Sequence, residues 1–254
     1  MTLKSLLVVS IVALLPLSSV FAGETTVVAA SDLKFAMDEI VKSYEQANPN
    51  DKLKVIYGSS GKFFTQIQND APYDVFFSAD IGFPAKLKAE GKAVGEPVLY
   101  ALGRIVLWST KYDASTLTLA DAATDKIKKF AIASPEHAPY GMRAREALES
   151  SNLWEKVQPK IVNGENISHT AQMVESGAAD AGIIALSLAL SPTVKAKAPN
   201  YVLIDDKLHN PLEQAYIVTK RAENNDTAKA FVAYMESPAA RKVMDAYGFV
   251  LPKK

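Results

Sequence analysis

Apolar positions along the chain switch repeatedly between a period near two and a period near 3.6, and the switches mark out elements from end to end. TTVVAA over residues 25–30 is a short β-rich run. After it, Leu33, Ala36, Met37, Ile40, Val41 and Tyr44 recur at helical spacing until Asn48-Pro49 stops the helix. KLKVIYG then predicts a strand, KFFTQIQN a helix, DVFFSAD a strand and PAKLKAEG a helix with proline at its start, ahead of the long apolar run VLYALGRIVLW. Further on, FAIAS, KIVN, AGIIAL and YVLID read as strands, with helices in GMRAREALESSNLW and SHTAQMVESGA. The tail TAKAFVAYMESPAARKVMDAYG reads as two helices split at Ser237-Pro238. Strands alternating with helices predict an α/β fold of mainly parallel sheets covered on both faces. Two such runs, one on each side of residues 98–108, predict two lobes, and no repeat, low-complexity tract or Pro/Gly/Ser linker separates them.

The first 22 residues break this pattern. A single cation at Lys4, an apolar stretch over 6–15, a break at Pro16 and the small-residue end Val20-Phe21-Ala22 have the layout of a secretory signal peptide cleaved after Ala22. The stretch is too short and too interrupted for a membrane span, and the later run AGIIALSLAL has only ten residues. Without residues 1–22 the chain keeps 27 cations and 28 anions, so nothing favours nucleic acid or an anionic membrane as partner. Cysteine is absent, so an exported protein of this kind must stand on its own core, and 232 residues suffice for one large domain or two small ones. Together these features point to the bacterial periplasm.

The stretch YGSSGKFF over 57–64 carries the most chemistry, and three readings compete for it. A phosphate-binding loop needs GxxxxGK followed by Ser or Thr; here the spacing is GxxGK and the next residue is Phe63. Ser31 with Lys34, and Ser59 with Lys62, fit the SxxK pair of serine hydrolases. However, no KTG occurs, and the SxN candidate Ser150-Ser151-Asn152 falls late in a helical pattern. In the third reading Ser31, Ser59 and Ser60 each sit where a strand turns into a helix, where free first-turn amides and the helix dipole favour an anion and a hydroxyl adds a donor. The plain alternative is that these serines are N-caps.

Several stretches together resemble the periplasmic molybdate-binding proteins of ABC importers: VVAASDL, YGSSGKFFTQI, APYDVFFSAD, SPEHAPYGMRAREAL and the terminal MDAYGFVLP, in the family's order over almost the whole exported chain. The resemblance implies a type II periplasmic-binding-protein (Venus-flytrap) fold. Lobe 1 would comprise residues 23–102 with 217–254, and lobe 2 residues 103–216. It implies no catalysis and no cofactor, a molybdate or tungstate ligand, a membrane permease as partner and a monomer. The matching binding positions are Ser31 and Ser60, through hydroxyl and amide, and Tyr140 and Ile167, through amides. A receptor for another oxyanion, sulfate or phosphate, is the nearest alternative, and a secreted SxxK hydrolase a further one.

Two positions depart from the family's pattern or from simple electrostatics. Some members carry a ligand-contacting tyrosine at the position of Ala185, so either the phenol of Tyr140, or less readily Ser187, replaces it or the site has one contact fewer. Asp32 would repel a bound dianion and is expected to point away and complement the helix dipole. His137, His169 and His209 have no metal-site spacing, and His137 is expected to hydrogen-bond structurally. Trp108 and Trp154 are expected to pack in cores or rims. Arg104, at the supposed crossover, reads equally as a solvated charge or a hinge residue, and Lys128-Lys129 as a solvated face.

Overall fold

Ten strands form two five-stranded sheets in the computed structural model of the protein, which describes residues 24–253. The expected leader over residues 1–22 lies outside the described residues. The strands are β1 (Thr25–Ala30), β2 (Leu53–Gly58), β3 (Val75–Ser78), β4 (Ala93–Gly103), β5 (Ile105–Trp108), β6 (Phe130–Ala133), β7 (Ile161–Gly164), β8 (Ala181–Ala185), β9 (Val202–Leu203) and β10 (Leu212–Thr219). The helices are α1 (Lys34–Ala47), α2 (Ser60–Gln68), α3 (Gly82–Ala89), α4 (Pro139–Ser150), α5 (Trp154–Val157), α6 (Ile167–Glu175), α7 (Leu186–Ala189), α8 (Pro192–Lys197), α9 (Asp226–Tyr234) and α10 (Pro238–Ala246).

The first sheet has the order β2-β1-β3-β10-β4 and the second β7-β6-β8-β5-β9. Each is mixed rather than mainly parallel. β1 pairs in parallel with β2 and β3, and β6 with β7 and β8, while β10 runs antiparallel to β3 and β4, and β5 antiparallel to β8 and β9. The reason is the double crossing between lobes. β4 leaves the first sheet and passes through the single residue Arg104 into β5, and β10 brings the chain back. A leaving strand beside a returning one must be antiparallel to it. The apolar run VLYALGRIVLW is therefore two strands of two different sheets. β10 did not stand out in the apolar pattern because Glu213 and Gln214 interrupt it, and the expected return near residue 217 falls inside this strand.

Period-two alternation divides the first lobe's core between its two faces. Val27, Ala29, Val75 and Phe77 pack with Met37 and Ile40 of α1, Phe231 of α9 and Met244 of α10. Val28, Phe76 and Ile217 face the other way, onto Phe63 and Ile67 of α2 and Leu87 of α3. In the second lobe one continuous core joins β6 and β8 to Ala144 and Leu148 of α4 and Val174 of α6, and it extends to Ala30 and Ala79 at the ends of β1 and β3. The carboxyl ends of the parallel strands of both sheets thus meet at the junction, where open α/β sheets bind their ligands.

Phe77 is fully buried and packs edge-on or tilted against Tyr100, Tyr216 and Phe231 at centroid distances of 5.2–6.0 Å. Phe77→Ala is expected to destabilise the protein by about 3–5 kcal/mol, read from urea denaturation. A loss under about 1 kcal/mol would mean that this face collapses to fill the space.

Candidate functional site

Four helical segments begin at the lobe junction. Ser31 opens the single 3-10 turn Ser31–Leu33 after β1, Ser60 opens α2 after β2, and Ile167 opens α6 after β7. α4 begins with Pro139, which has no N–H, so Tyr140 supplies its first amide. Ser31, Ser60, Tyr140 and Ile167 all line one small cavity, together with Asp32, Ser59, Ala79 and Ala138. First-turn amides have no partner within their own helix, and the dipoles set their positive ends there. The cavity walls contain no Lys, Arg or His. This is a cradle of neutral donors suited to an anion. A larger cavity of about 250 Å³ lies at the crossings, lined by Leu102, Gly103, Arg104, Asp206, His209, Pro211, Leu212 and Val250, with no such convergence.

The serines are not ordinary caps. Ser59 is the N-cap of α2, yet its side chain makes no capping bond, and its Oγ is buried without a hydrogen-bond partner in the cavity wall. Ser60 Oγ accepts from the Ala79 amide at 3.0 Å, which leaves its own proton free to donate. Ser31 Oγ reaches across the junction, donating to Asn166 Oδ1 at 3.0 Å and accepting from the Ser168 amide at 3.2 Å. Ser168 Oγ in turn donates to the Ser31 carbonyl at 2.8 Å. Ser59 is marked in the sequence as a strand-to-helix serine but is not one of the four positions the resemblance implies, because two adjacent serines at a turn read alike; Asn166 and Ser168 lie within GENIS without a distinguishing signal.

Asp32 does not turn to solvent. It is 1% exposed, and its Oδ2 accepts from Tyr140 Oη and Gln214 Nε2, each at 2.9 Å. Gln214, fully buried on β10, is fixed through its Oε1 by the Tyr100 hydroxyl at 2.7 Å. Burial pushes the Asp32 carboxyl up to about 6, against the lowering effect of the bonds from Gln214 and Tyr140 and of the amides of Asp32 and Leu33. The two hydroxyls considered as replacements at Ala185 are both engaged here: that of Tyr140 donates to Asp32, and Ser187 Oγ donates to the Asp32 carbonyl at 2.8 Å.

Further contacts close the lobes over the cavity. The Gly61 amide donates to the His137 carbonyl at 2.9 Å, Lys62 pairs with Glu165, and Arg143 of α4 pairs with Asp80 at 3.3 Å. A Cβ at Gly61 would lie 2.7 Å from the His137 carbonyl oxygen and 3.0 Å from its Cα, so this glycine is set by the approach of the second lobe. Lys34, the other lysine of an SxxK pair, is turned to Asp38 at 3.0 Å. Neither lysine is placed as the base of a serine nucleophile. Among the described residues no cluster of three or more His, Cys, Asp or Glu could hold a metal. His137 Nδ1 lies 3.5 Å from Ser134 Oγ, His169 Nδ1 accepts from the Glu165 amide, and His209 Nδ1 meets the Asn210 carbonyl. Trp108 is fully buried with its Nε1 donating to the Ala198 carbonyl, and Trp154 is covered by the Arg145 guanidinium. Lys128 and Lys129 bind Asp180 Oδ2 through their amides.

The family model described as bacterial extracellular solute-binding protein matches residues 25–250 of this chain. The chain belongs to that family. Its relatives include the molybdate-binding protein ModA of Azotobacter vinelandii, 34% identical over 231 residues that make up 91% of each chain. ModA of Rhodobacter capsulatus is 32% identical over 230 residues, 90% of this chain and 89% of its own. The solved periplasmic molybdate-binding protein of Azotobacter vinelandii superposes with a TM-score of 0.84 at 30% identity, over 90% of this chain and 100% of that one. This solute-binding protein thus has the two-lobed α/β architecture of its family, with its cavity between the lobes.

Gly61→Ala is expected to hold the lobes apart without harming the first lobe, since alanine is the better helix former by about 1 kcal/mol. Small-angle X-ray scattering should give a larger radius of gyration than the parent's at an unchanged melting temperature. Equal radii would show that the lobes close without this approach.

Proposed function

We propose that the protein captures one molybdate ion, with tungstate as a close substitute, in the cleft between its lobes and delivers it to the membrane permease of an ABC importer. It acts in the periplasm as a monomeric receptor, carries no cofactor and catalyses no reaction. The observation that carries this reading is the convergence of four helix starts, with the hydroxyls of Ser59 and Ser60, on a cavity without a cation. The names of its relatives supply the ligand. In the loaded state the oxyanion's oxygens accept from the amides and hydroxyls of Ser31 and Ser60 and from the amides of Tyr140 and Ile167, and Ser31 exchanges its bond to Asn166 for one to the anion.

Neutral donors suffice for the affinity a receptor needs. A hydrogen bond to a charged group contributes about 1.5–3 kcal/mol. Five to seven of them, after ordering costs, leave roughly −8 kcal/mol or better, micromolar or tighter. Fixed donors also select by size, because a smaller sulfate leaves some of them short and unsatisfied buried donors are costly. Lobe closure around the anion then reports to the permease that the site is loaded.

Isothermal titration in an oxyanion-free buffer tests the reading. Molybdate and tungstate are expected to bind one to one, sulfate and phosphate to give little heat, and Ser60→Ala to weaken molybdate binding roughly 10- to 100-fold. Silence from all four anions would overturn the receptor reading. Undiminished binding by Ser60→Ala would remove this hydroxyl from the site.

A further inference from the structure

Asp32 is a carboxylate placed where a captured dianion calls for none. It lines the cavity beside Ser31, is almost wholly buried, and its two oxygens are not equivalent. Oδ2 accepts two hydrogen bonds, from Tyr140 Oη and Gln214 Nε2, while Oδ1 is buried without any. The groups facing it are neutral: Tyr140 from α4, Gln214 from β10, Tyr100 from β4 behind that glutamine, and Ser187 from α7 against its carbonyl. Burial, and then the Asp32 charge itself, hold both tyrosine hydroxyls well above their ordinary range. No cation ion-pairs with Asp32 among the described residues, and none tunes it.

We propose that capture of the oxyanion is coupled to uptake of one proton by Asp32, so that the loaded cleft holds a neutral carboxyl beside the dianion. The inference rests on the oxyanion-receptor reading above. Like charges enclosed together without a counter-ion cannot both stay ionised, and of the two the carboxylate accepts the proton more readily. The proton comes from solvent and forms one O–H bond at Oδ1, the oxygen with no partner, while Oδ2 keeps both of its donated bonds. Burial raises this carboxyl to about 6, so at neutral pH it is mostly ionised before capture and the arriving anion raises it further. The loaded form therefore binds more protons than the empty one. Affinity is fully present below about pH 6 and falls as pH rises from there to the value of the loaded carboxyl, by at most about tenfold per pH unit. Asp32 is thus a positioning residue that makes capture and release sensitive to proton concentration.

Asp32→Asn imitates the neutral form, because the amide oxygen can accept from Tyr140 and Gln214 while the NH₂ group stands in place of the protonated oxygen. Both proteins would be titrated with sodium molybdate at about pH 7.5 in buffers of different ionisation enthalpy, the slope of heat against buffer enthalpy counting the protons taken up. The parent is expected to take up about 0.5–1 proton per molybdate and Asp32→Asn almost none, and the variant should bind more tightly than the parent at about pH 8.5. Molybdate binding by the parent without proton uptake would overturn this inference alone. Equal uptake by the variant would overturn it too and move the proton to another group. No binding by either protein would overturn the receptor reading and this inference together.

Discussion

Buried hydrogen-bond donors in search of acceptors are the constraint around which this molecule is arranged. β1, β2, β6 and β7 each hand the chain to a helical start at the same junction, so the amides at those starts are gathered in one place. Their own helices cannot satisfy them. Once the lobes close and water leaves, each unsatisfied donor costs about 1–3 kcal/mol, and the closed form must find acceptors. An anion is one solution. Part of the demand is met within the protein, where the Ser168 amide in the first turn of α6 donates to the Ser31 hydroxyl and the Gly61 amide in the first turn of α2 donates to the His137 carbonyl.

The same constraint explains how the hinge and the site are joined. Gln214 lies on β10, the strand that returns from the second lobe, and Gly103 ends β4, the strand that leaves for it. A Cβ at Gly103 would stand 2.5 Å from both Gln214 Nε2 and Tyr140 Oη, so the crossing strand is stripped of a side chain to admit the Asp32 network. Arg104 follows at once and pairs with Asp206 at 2.7 Å, tying the two crossing segments together. The exposed pair of Lys62 and Glu165 adds little energy. Arg143 and Asp80 are far less exposed and fix the relative position of α4 and the first lobe more firmly.

Much of this was legible along the chain, for physical reasons that differ by element. The βα alternation, the helical face of Leu33, Ala36, Met37, Ile40 and Tyr44, and the split of the tail at Ser237 are local patterns, and the structure repeats them. The four expected binding positions surround one cavity because each stands at a strand-to-helix turn, which sequence can mark. Pairing across the lobes was not legible. The antiparallel strands of the mixed sheets, the role of Gln214 and the burial of Asp32 depend on where the chain crosses, and no local period records that. Asp32 looked like a helix-dipole residue because its neighbours in sequence say so; Tyr140, 108 positions away, is what holds it inside.

The helix starts of both lobes form a single oxyanion site. Crystals grown with molybdate, measured at the molybdenum absorption edge, test it most directly. One strong anomalous peak is expected in the cavity, at the centre of an anion whose oxygens accept from the donors at Ser31, Ser60, Tyr140 and Ile167. A peak elsewhere, or molybdenum bonded directly to a protein side chain, would contradict it.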